Sequence, residues 1–400
     1  MTAASPLTRL SLAVLFGIIP LYGAFATLDP QRPPIPPLLP QPLTIACAIL
    51  AAIALVSVVS AGLRAKATAP IRFGFVGGGL ATTLAAIFGF DPRTGIGLGL
   101  IVTGIGLGGL ALTRADPPTV RLCVRTFLWS ALAASLLALA MLATHRPIAI
   151  YAYNNGRAVG TFLNPNELAA YTLVALGCAV PLAVATRGRD RLALVTALVL
   201  AITLGATFSR WGALSAVCGL AAYALAVRGR RLLIAALVLA LAGLAFNAAV
   251  GARHHNPRDT EARDVAWRTG WTTFARFPLL GVGPLAFGKT YDALRPPDAP
   301  GPQSAVAFDP HSLPLSFAAS GGIVALLTLT ASVVILQRAV YRAGRTAAPI
   351  ARTLAFGLAS GLVALYVDCT INTISLFFPL ALQSFALGIA AGQSEGAFDR

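Results

Sequence analysis

Charge is scarce in this sequence. Only 11% of its residues are Asp, Glu, Lys or Arg, against roughly 25% in an ordinary soluble domain, too few to build a water-facing surface. Acids are the scarcer sign, with 14 Asp and Glu against 30 Lys and Arg. Cysteine pairing is missing as well: Cys47, Cys123, Cys178, Cys218 and Cys369 are odd in number, show no CxxC spacing and lie in or beside apolar runs. They read as small core residues, which excludes a disulfide framework and a thiolate metal site. No HExxH, GxSxG or phosphate-binding GxxxxGK[ST] is present. The glycine-rich stretches 74–79 and 95–109 lack the Lys-Ser/Thr ending and lie in apolar runs, where glycine serves close helix packing. What fills the chain instead is apolar: 57% of its 400 residues are hydrophobic and its mean hydropathy is +0.78. Apolar runs recur roughly every 20 to 30 residues from Leu10 to Ala391, the spacing of helices that cross a bilayer.

A net charge of +16 would point to nucleic acid in a soluble domain. Here the basic residues fall in short clusters between apolar runs, a topology signal, and no nucleic-acid partner is expected. The clusters are Arg64/Lys66/Arg72, Arg114/Arg121/Arg125, Arg187/Arg189/Arg191, Arg228/Arg230/Arg231 and Arg338/Arg342/Arg345/Arg352; Asp116 and Asp190 are the only acids among them. Keeping every cluster in the cytoplasm requires an even number of crossings between neighbours. The chain then forms hairpins with tips near 29–42, 91–95, 144–166, 208–212, 251–312 and 368–372. The expectation is an all-α integral membrane protein of about twelve transmembrane helices, multi-pass in a bacterial inner membrane. Residues 1–250 hold helices 1–9, 251–312 form one large periplasmic loop, and 313–400 hold helices 10–12. The first apolar stretch, ending in Ala24-Phe25-Ala26, has the features of a cleavable signal as well as of a retained anchor; its length favours the anchor.

In the loop, residues 259–277 read as an amphipathic helix, with Arg263, Trp267, Trp271 and Phe274 recurring along one face. Such a helix lies at the interface, its tryptophans among lipid headgroups. Asp259, Glu261 and Asp264 have the spacing of a solvated helix face, so no metal and no cofactor is expected. Beyond Pro278, Gly281, Gly283 and Pro284, the Pro-rich segment with Pro296, Pro297, Pro300 and Pro302 reads as loop.

Four positions stand out chemically. Arg210 interrupts an apolar stretch, where an arginine costs several kcal/mol and is functional or paired, unless it snorkels from a short hairpin. Arg263 is either an interfacial residue paired with Asp259 or an anion-binding group. Asn164-Pro165-Asn166-Glu167 fits a helix cap with Asn164 at its start, and its carboxylate and carboxamides also suit sugar hydroxyls. His311, in Asp309-Pro310-His311-Ser312, sits at a helix start with Asp309 as cap and Pro310 first in the helix: an interfacial histidine or a base. Topology puts Arg210, Arg263, His311 and Glu167 on one face of the membrane. Two arginines can neutralise a diphosphate without a metal, and a histidine can accept the proton of an attacking hydroxyl. The constellation suits glycosyl transfer from a polyprenyl diphosphate carrier; a transporter lined by Arg210, Asp368 and Glu167 is the alternative from another class.

Four ordered stretches resemble the landmarks of the O-antigen ligase and polymerase superfamily. They are Thr161–Ala169 (TFLNPNELA), Phe208–Leu214 (FSRWGAL), Arg263-x-x-x-Trp267 with Phe277–Pro284 (FPLLGVGP), and His311-Ser312-x-x-Leu315 leading to Ser320-Gly321-Gly322. The resemblance implies a metal-independent, inverting glycosyltransferase of GT-C architecture. It implies an undecaprenyl diphosphate-linked glycan as donor and, for a ligase, the lipid A core as acceptor, the bilayer lipid being the third partner. Arg210 and Arg263 would then bind the diphosphate, with Asn166, Glu167 and Trp267 in substrate binding, and His311 would be catalytic. Ser312 stands where the commoner pattern has Asn. Ligase, polymerase and protein O-oligosaccharyltransferase all fit the superfamily; one large loop favours the ligase. Transfer is expected to persist in EDTA, and loss on chelation with rescue by a divalent ion would return the acidic cluster to the site.

Overall fold

The apolar runs are punctuated by Asp, Asn or Ser, often followed by proline, and these residues start the helices. The side chains of Ser5, Asp91, Asp116, Asn164, Asp190 and Ser209 each accept a backbone N–H from the first turn that follows, satisfying donors that no helical partner reaches. The structure, a computed structural model, describes residues 5–21, 41–162, 164–231, 234, 238, 257–297, 309–372, 374 and 377–394. Among them every regular element is a helix: α1 Pro6–Ile18, α2 Gln41–Arg64, α3 Ala69–Ile87, α4 Pro92–Leu112, α5 Pro117–Thr144, α6 Ile148–Tyr153, α7 Pro165–Ala185, α8 Arg191–Ala206, α9 Arg210–Ala226, α10 Pro257–Arg276, α11 Phe287–Leu294, α12 Leu313–Thr346, α13 Pro349–Cys369 and α14 Phe377–Gln393. Seven of these, α2 to α5, α7, α12 and α13, are long and apolar enough to cross a bilayer, and four shorter apolar helices (Pro6–Leu21, α8, α9 and α14) join them. The chain is an all-α, multi-pass membrane protein. The ninth expected span lies outside the described residues apart from Ile234 and Val238.

Small residues set how closely the helices pack. In the α3–α4 hairpin Gly79 lies against Thr103 and Gly99 against Thr83, while each threonine hydroxyl donates to the carbonyl of the glycine four residues earlier. Helices α7 and α13 pack at the centre of the bundle, with α9 beside α13 and α8 beside α7. At one end of the bundle the two acids found among the basic clusters do double service. Asp116 caps α5 and pairs with Arg9 of α1; Asp190 caps α8 and pairs with Arg125 of α5 at 2.7 Å.

At the opposite end, α12 is not the continuous helix that its apolar run implies. Gly322 has φ 63° and ψ −162°, a conformation open to glycine and costly for other residues. The break removes the helical bonds from Ile323 and Val324 to Ala319 and Ser320. Residues 278–283 replace them: Val282 and Gly283 donate to the carbonyls of Ala319 and Ser320 at 3.0 and 2.9 Å, and Ile323 and Val324 donate to those of Pro278 and Leu279 at 2.8 and 3.4 Å. On its other side this segment meets the α3–α4 turn, where Phe90 N–H donates to Val282 at 2.9 Å and the Phe90 and Phe277 rings meet edge to face at 5.7 Å.

The amphipathic helix expected at 259–277 is α10. Its buried face is Val265, Ala266, Thr269, Gly270 and Thr273, packed on α12. Arg263, Trp267 and Phe274 flank the contact and are half-buried, and Trp271 is exposed. Small side chains win the inner face because close approach to α12 leaves no room for indole rings. Residues 287–294 form α11, held through Phe287 and Tyr291 against Val265 and Ala266. The remaining Pro-rich stretch lies outside the described residues from 298 onward.

Lys289 of α11 donates to Asp91, the cap of α4, at 2.6 Å. That bond, with a smaller contribution from Thr94, holds the Asp91 carboxyl below the usual aspartate range. A depressed carboxyl stabilises the fold above its unfolded value and stops doing so as pH falls through its folded one, so the tie is intact at neutral pH and is lost only in acid below the ordinary aspartate range. Asp91→Asn, which keeps the cap, is expected to speed backbone hydrogen exchange over Phe287–Leu294 at pH 7. Equal exchange in the two proteins at that pH would rule the tie out.

Candidate active site

The turn joining α8 to α9 puts Arg210 at the head of a helix. Phe208, at φ 48°, reverses the chain, and Ser209 caps α9 by accepting Gly212 N–H at 3.1 Å. Arg210, the first helical residue, is exposed at that end. The Ser209 hydroxyl donates in turn to Asn166 Oδ1 at 3.1 Å, tying the α9 start to the α7 start.

Asn166 is the hub of a polar network. Its Oδ1 also accepts Arg157 Nη2 at 3.2 Å, and its Nδ2 donates to Asn372 Oδ1 at 3.3 Å. Asn372 Nδ2 donates to Asp368 Oδ1 at 3.2 Å. Arg157 is fixed by a second bond, Nε to the Thr207 carbonyl at 2.7 Å. Four separate segments thus meet here: the stretch before α7, the α7 start, the α8–α9 turn and the end of α13. Asn164 caps α7 as expected, accepting Asn166 N–H at 2.8 Å.

Asp368 is fully buried, and its Oδ2 finds no hydrogen-bond donor among the described residues. It lies within electrostatic range of Glu167 and of Arg263, one like charge and one opposite. A buried carboxylate is costly unless a cation or donors stand near it, so Arg263 on α10 offsets the acidic pair at the ends of α7 and α13. Trp267, one turn along α10, is half-buried, and its indole N–H is enclosed with no acceptor among the described residues. Among the described residues, no three His, Cys, Asp or Glu side chains are grouped as a metal site requires; the side chains of Asp259 and Glu261 lie outside those described.

His311 differs from its expected setting. The helix starts at Leu313 with Ser312 as its N-cap, and His311 precedes it at φ 52°. Asp309 therefore does not cap α12. Its Oδ1 accepts His311 N–H at 2.7 Å, closing a short turn that takes the chain out of helical geometry before the cap. The imidazole is exposed, with Nδ1 3.8 Å from the same carboxylate. Pro310 next to it is seated on Gly270 of α10, where an added methyl would lie 3.0 Å from the proline and 2.9 Å from Leu315.

Of the residues singled out in the sequence, Asn166 and Glu167 converge with the Ser209-Arg210 turn, and Arg263 reaches Glu167's neighbour Asp368. His311 joins through α10: its polar partner is Asp309, and Pro310 beside it rests on Gly270 of the helix that carries Arg263. Sequence reasoning left Arg157, Ser209 and Asn372 out of the site and placed Asp368 only in the transporter alternative. For Asp368 a signal existed, since an ionisable residue at the end of an apolar helix marks function by default. Asn166→Ala would strand three polar groups at once and is expected to cost roughly 1–3 kcal/mol, more than the ~1 kcal/mol of the cap removed by Asn164→Ala. Thermal unfolding of the two variants in detergent tests this order.

Comparison with curated proteins gives no match. Residues 195–330 match the family described as O-antigen ligase. That segment runs from α8 into the second half of α12 and carries Arg210, Arg263, Trp267 and His311, and over it the chain is similar to the O-antigen ligase family.

Proposed function

We propose that this protein is the ligase that transfers finished O-antigen from undecaprenyl diphosphate to the lipid A core. It acts at the periplasmic face of the inner membrane, on a GT-C-type bundle of about twelve spans with residues 251–312 as its large periplasmic loop. The observation that carries the reading is the gathering of the Arg210 turn, Asn166, Glu167, Asp368 and Arg263 of the overlying α10 at one end of the bundle, within and around the family segment.

In this reading Arg210, exposed at the head of α9, and Arg263 bind the two phosphates of the donor through charge-assisted hydrogen bonds. The half-buried Trp267 faces the first sugar, and Asn166 and Glu167 position its hydroxyls. The acceptor hydroxyl oxygen attacks the anomeric carbon as the carbon–oxygen bond to the diphosphate breaks. His311 takes the hydroxyl proton, and undecaprenyl diphosphate leaves with its negative charge spread over the arginines. A single in-line displacement inverts the anomeric centre.

Arg210→Ala and His311→Ala are expected to leave a folded, inserted protein with transfer reduced on the order of 10²-fold or more, whereas Glu261→Ala is mild; normal transfer by either of the first two sinks the assignment. The deciding experiment is deletion of the gene in its host, followed by examination of the lipopolysaccharide and the carrier-linked glycan. Long polymer left on the carrier with a bare core supports the ligase. A core bearing one repeat unit means a polymerase, and unchanged lipopolysaccharide means protein glycosylation or transport.

A further inference from the structure

A helix that only crosses a bilayer gains nothing from a break, yet α12 gives up two backbone bonds at Gly322 and makes four with residues 278–283. The break detaches Leu313–Gly321 from the rest of α12 as a half-helix with its own direction. That half-helix carries His311 just before its cap, and it is tied to α10 at both ends. At its start, Pro310 and Leu315 close over Gly270. At its end, the segment that follows α10 is bonded to Ala319 and Ser320. The chain from α10 through 278–283, back along the half-helix to His311 and across to Gly270, forms a closed loop of contacts.

The third side of this frame is the α3–α4 turn. Val282, fully buried, donates to Ala319 on one side and accepts from Phe90 on the other, and its side chain packs with Phe277, Ala286 and Leu294. Gly283 lies against Gly89, and an added methyl there would come 2.9 Å from the Gly89 Cα.

We propose that this interlock positions the catalytic histidine, with Gly322 and Val282 as positioning residues that hold His311 at a fixed place relative to Arg263. The proposal rests on the ligase reading for what the histidine does, and on the geometry alone for how it is held. Gly322 supplies the backbone conformation, since a methyl there would run into the Leu279 carbonyl. The Val282 side chain, packed on Phe277, Ala286 and Leu294, fixes the shape in which the segment's backbone meets the α3–α4 turn and α12.

The test uses the full-length protein in membranes, with a polyprenyl diphosphate-linked glycan as donor and a lipid A core acceptor. Gly322→Ala and the gentler Val282→Ala are compared with Gly97→Ala and Gly205→Ala, where a methyl meets open space. Should Gly322→Ala fail to fold, Val282→Ala carries the test alone. Expected are faster backbone hydrogen exchange over residues 311–321 and a kcat lower by on the order of tenfold. KM for the donor should stay within about twofold of wild type, since the arginines are untouched. The control glycine variants should match wild type in all three. A raised KM at unchanged kcat would make the segment a donor-binding element and overturn the proposal. Faster exchange with unchanged kcat would overturn it too, as would unchanged exchange. A wild type that transfers no glycan removes the ligase reading, and the exchange measurement then decides alone whether the interlock holds the half-helix.

Discussion

A backbone N–H or C=O buried in protein has no water to bond, so a chain can leave the helix there only where other protein groups replace the lost bonds. That constraint dictates the path of residues 278–283. The break at Gly322 frees the carbonyls of Ala319 and Ser320 and the N–H groups of Ile323 and Val324, and every one of the four is taken by this segment. Transporters use broken helices differently, leaving freed groups to coordinate their cargo. Here the freed groups are spent on the fold, which speaks for a rigid frame and against a permeation path through α12.

The two ends of the bundle solve the problem of buried charge in different ways. At one end Arg9 and Arg125 pair with Asp116 and Asp190, acids that already cap helices, so each carboxylate satisfies a helix start and a guanidinium together. At the other end Asn166, Asn372 and Ser209 carry the connections, and the charges of Glu167, Asp368 and Arg263 stand around them. Amides donate and accept at once. An amide hub can therefore join four segments without adding charge to the site proposed to receive a diphosphate.

What the sequence revealed and what it hid follow the range of the interactions. Caps and turns are local, and Asn164 and the Ser209-Arg210 turn stand where spacing placed them. The Asn166–Asn372 bond joins residues 206 apart, and no periodicity records such a pair. Gly321-Gly322 in an apolar run reads equally well as close packing or as a break; only the docking of Gly281 against Ser320 decides. The third and fourth landmark stretches, read as separate motifs, are the two halves of that one contact. On α10 the eye goes to tryptophan, while the packed face is drawn by Ala266 and Gly270, whose smallness leaves no hydrophobic signal.

The same division explains why the family match covers 195–330 and not the whole chain. The residues proposed to act, Arg210, Arg263 and His311, all lie inside it, and so do both sides of the α12 interlock. Their supports lie outside: Asn166 and Asp368 under Arg210 and Arg263, Phe90 and Asp91 beside the segment that follows α10. A supporting span must be apolar, of the right length and small where it is touched, and a great many sequences meet those terms. An arginine at the head of a helix, a glycine that breaks a helix where another segment docks and a histidine beside a proline seated on α10 admit far fewer.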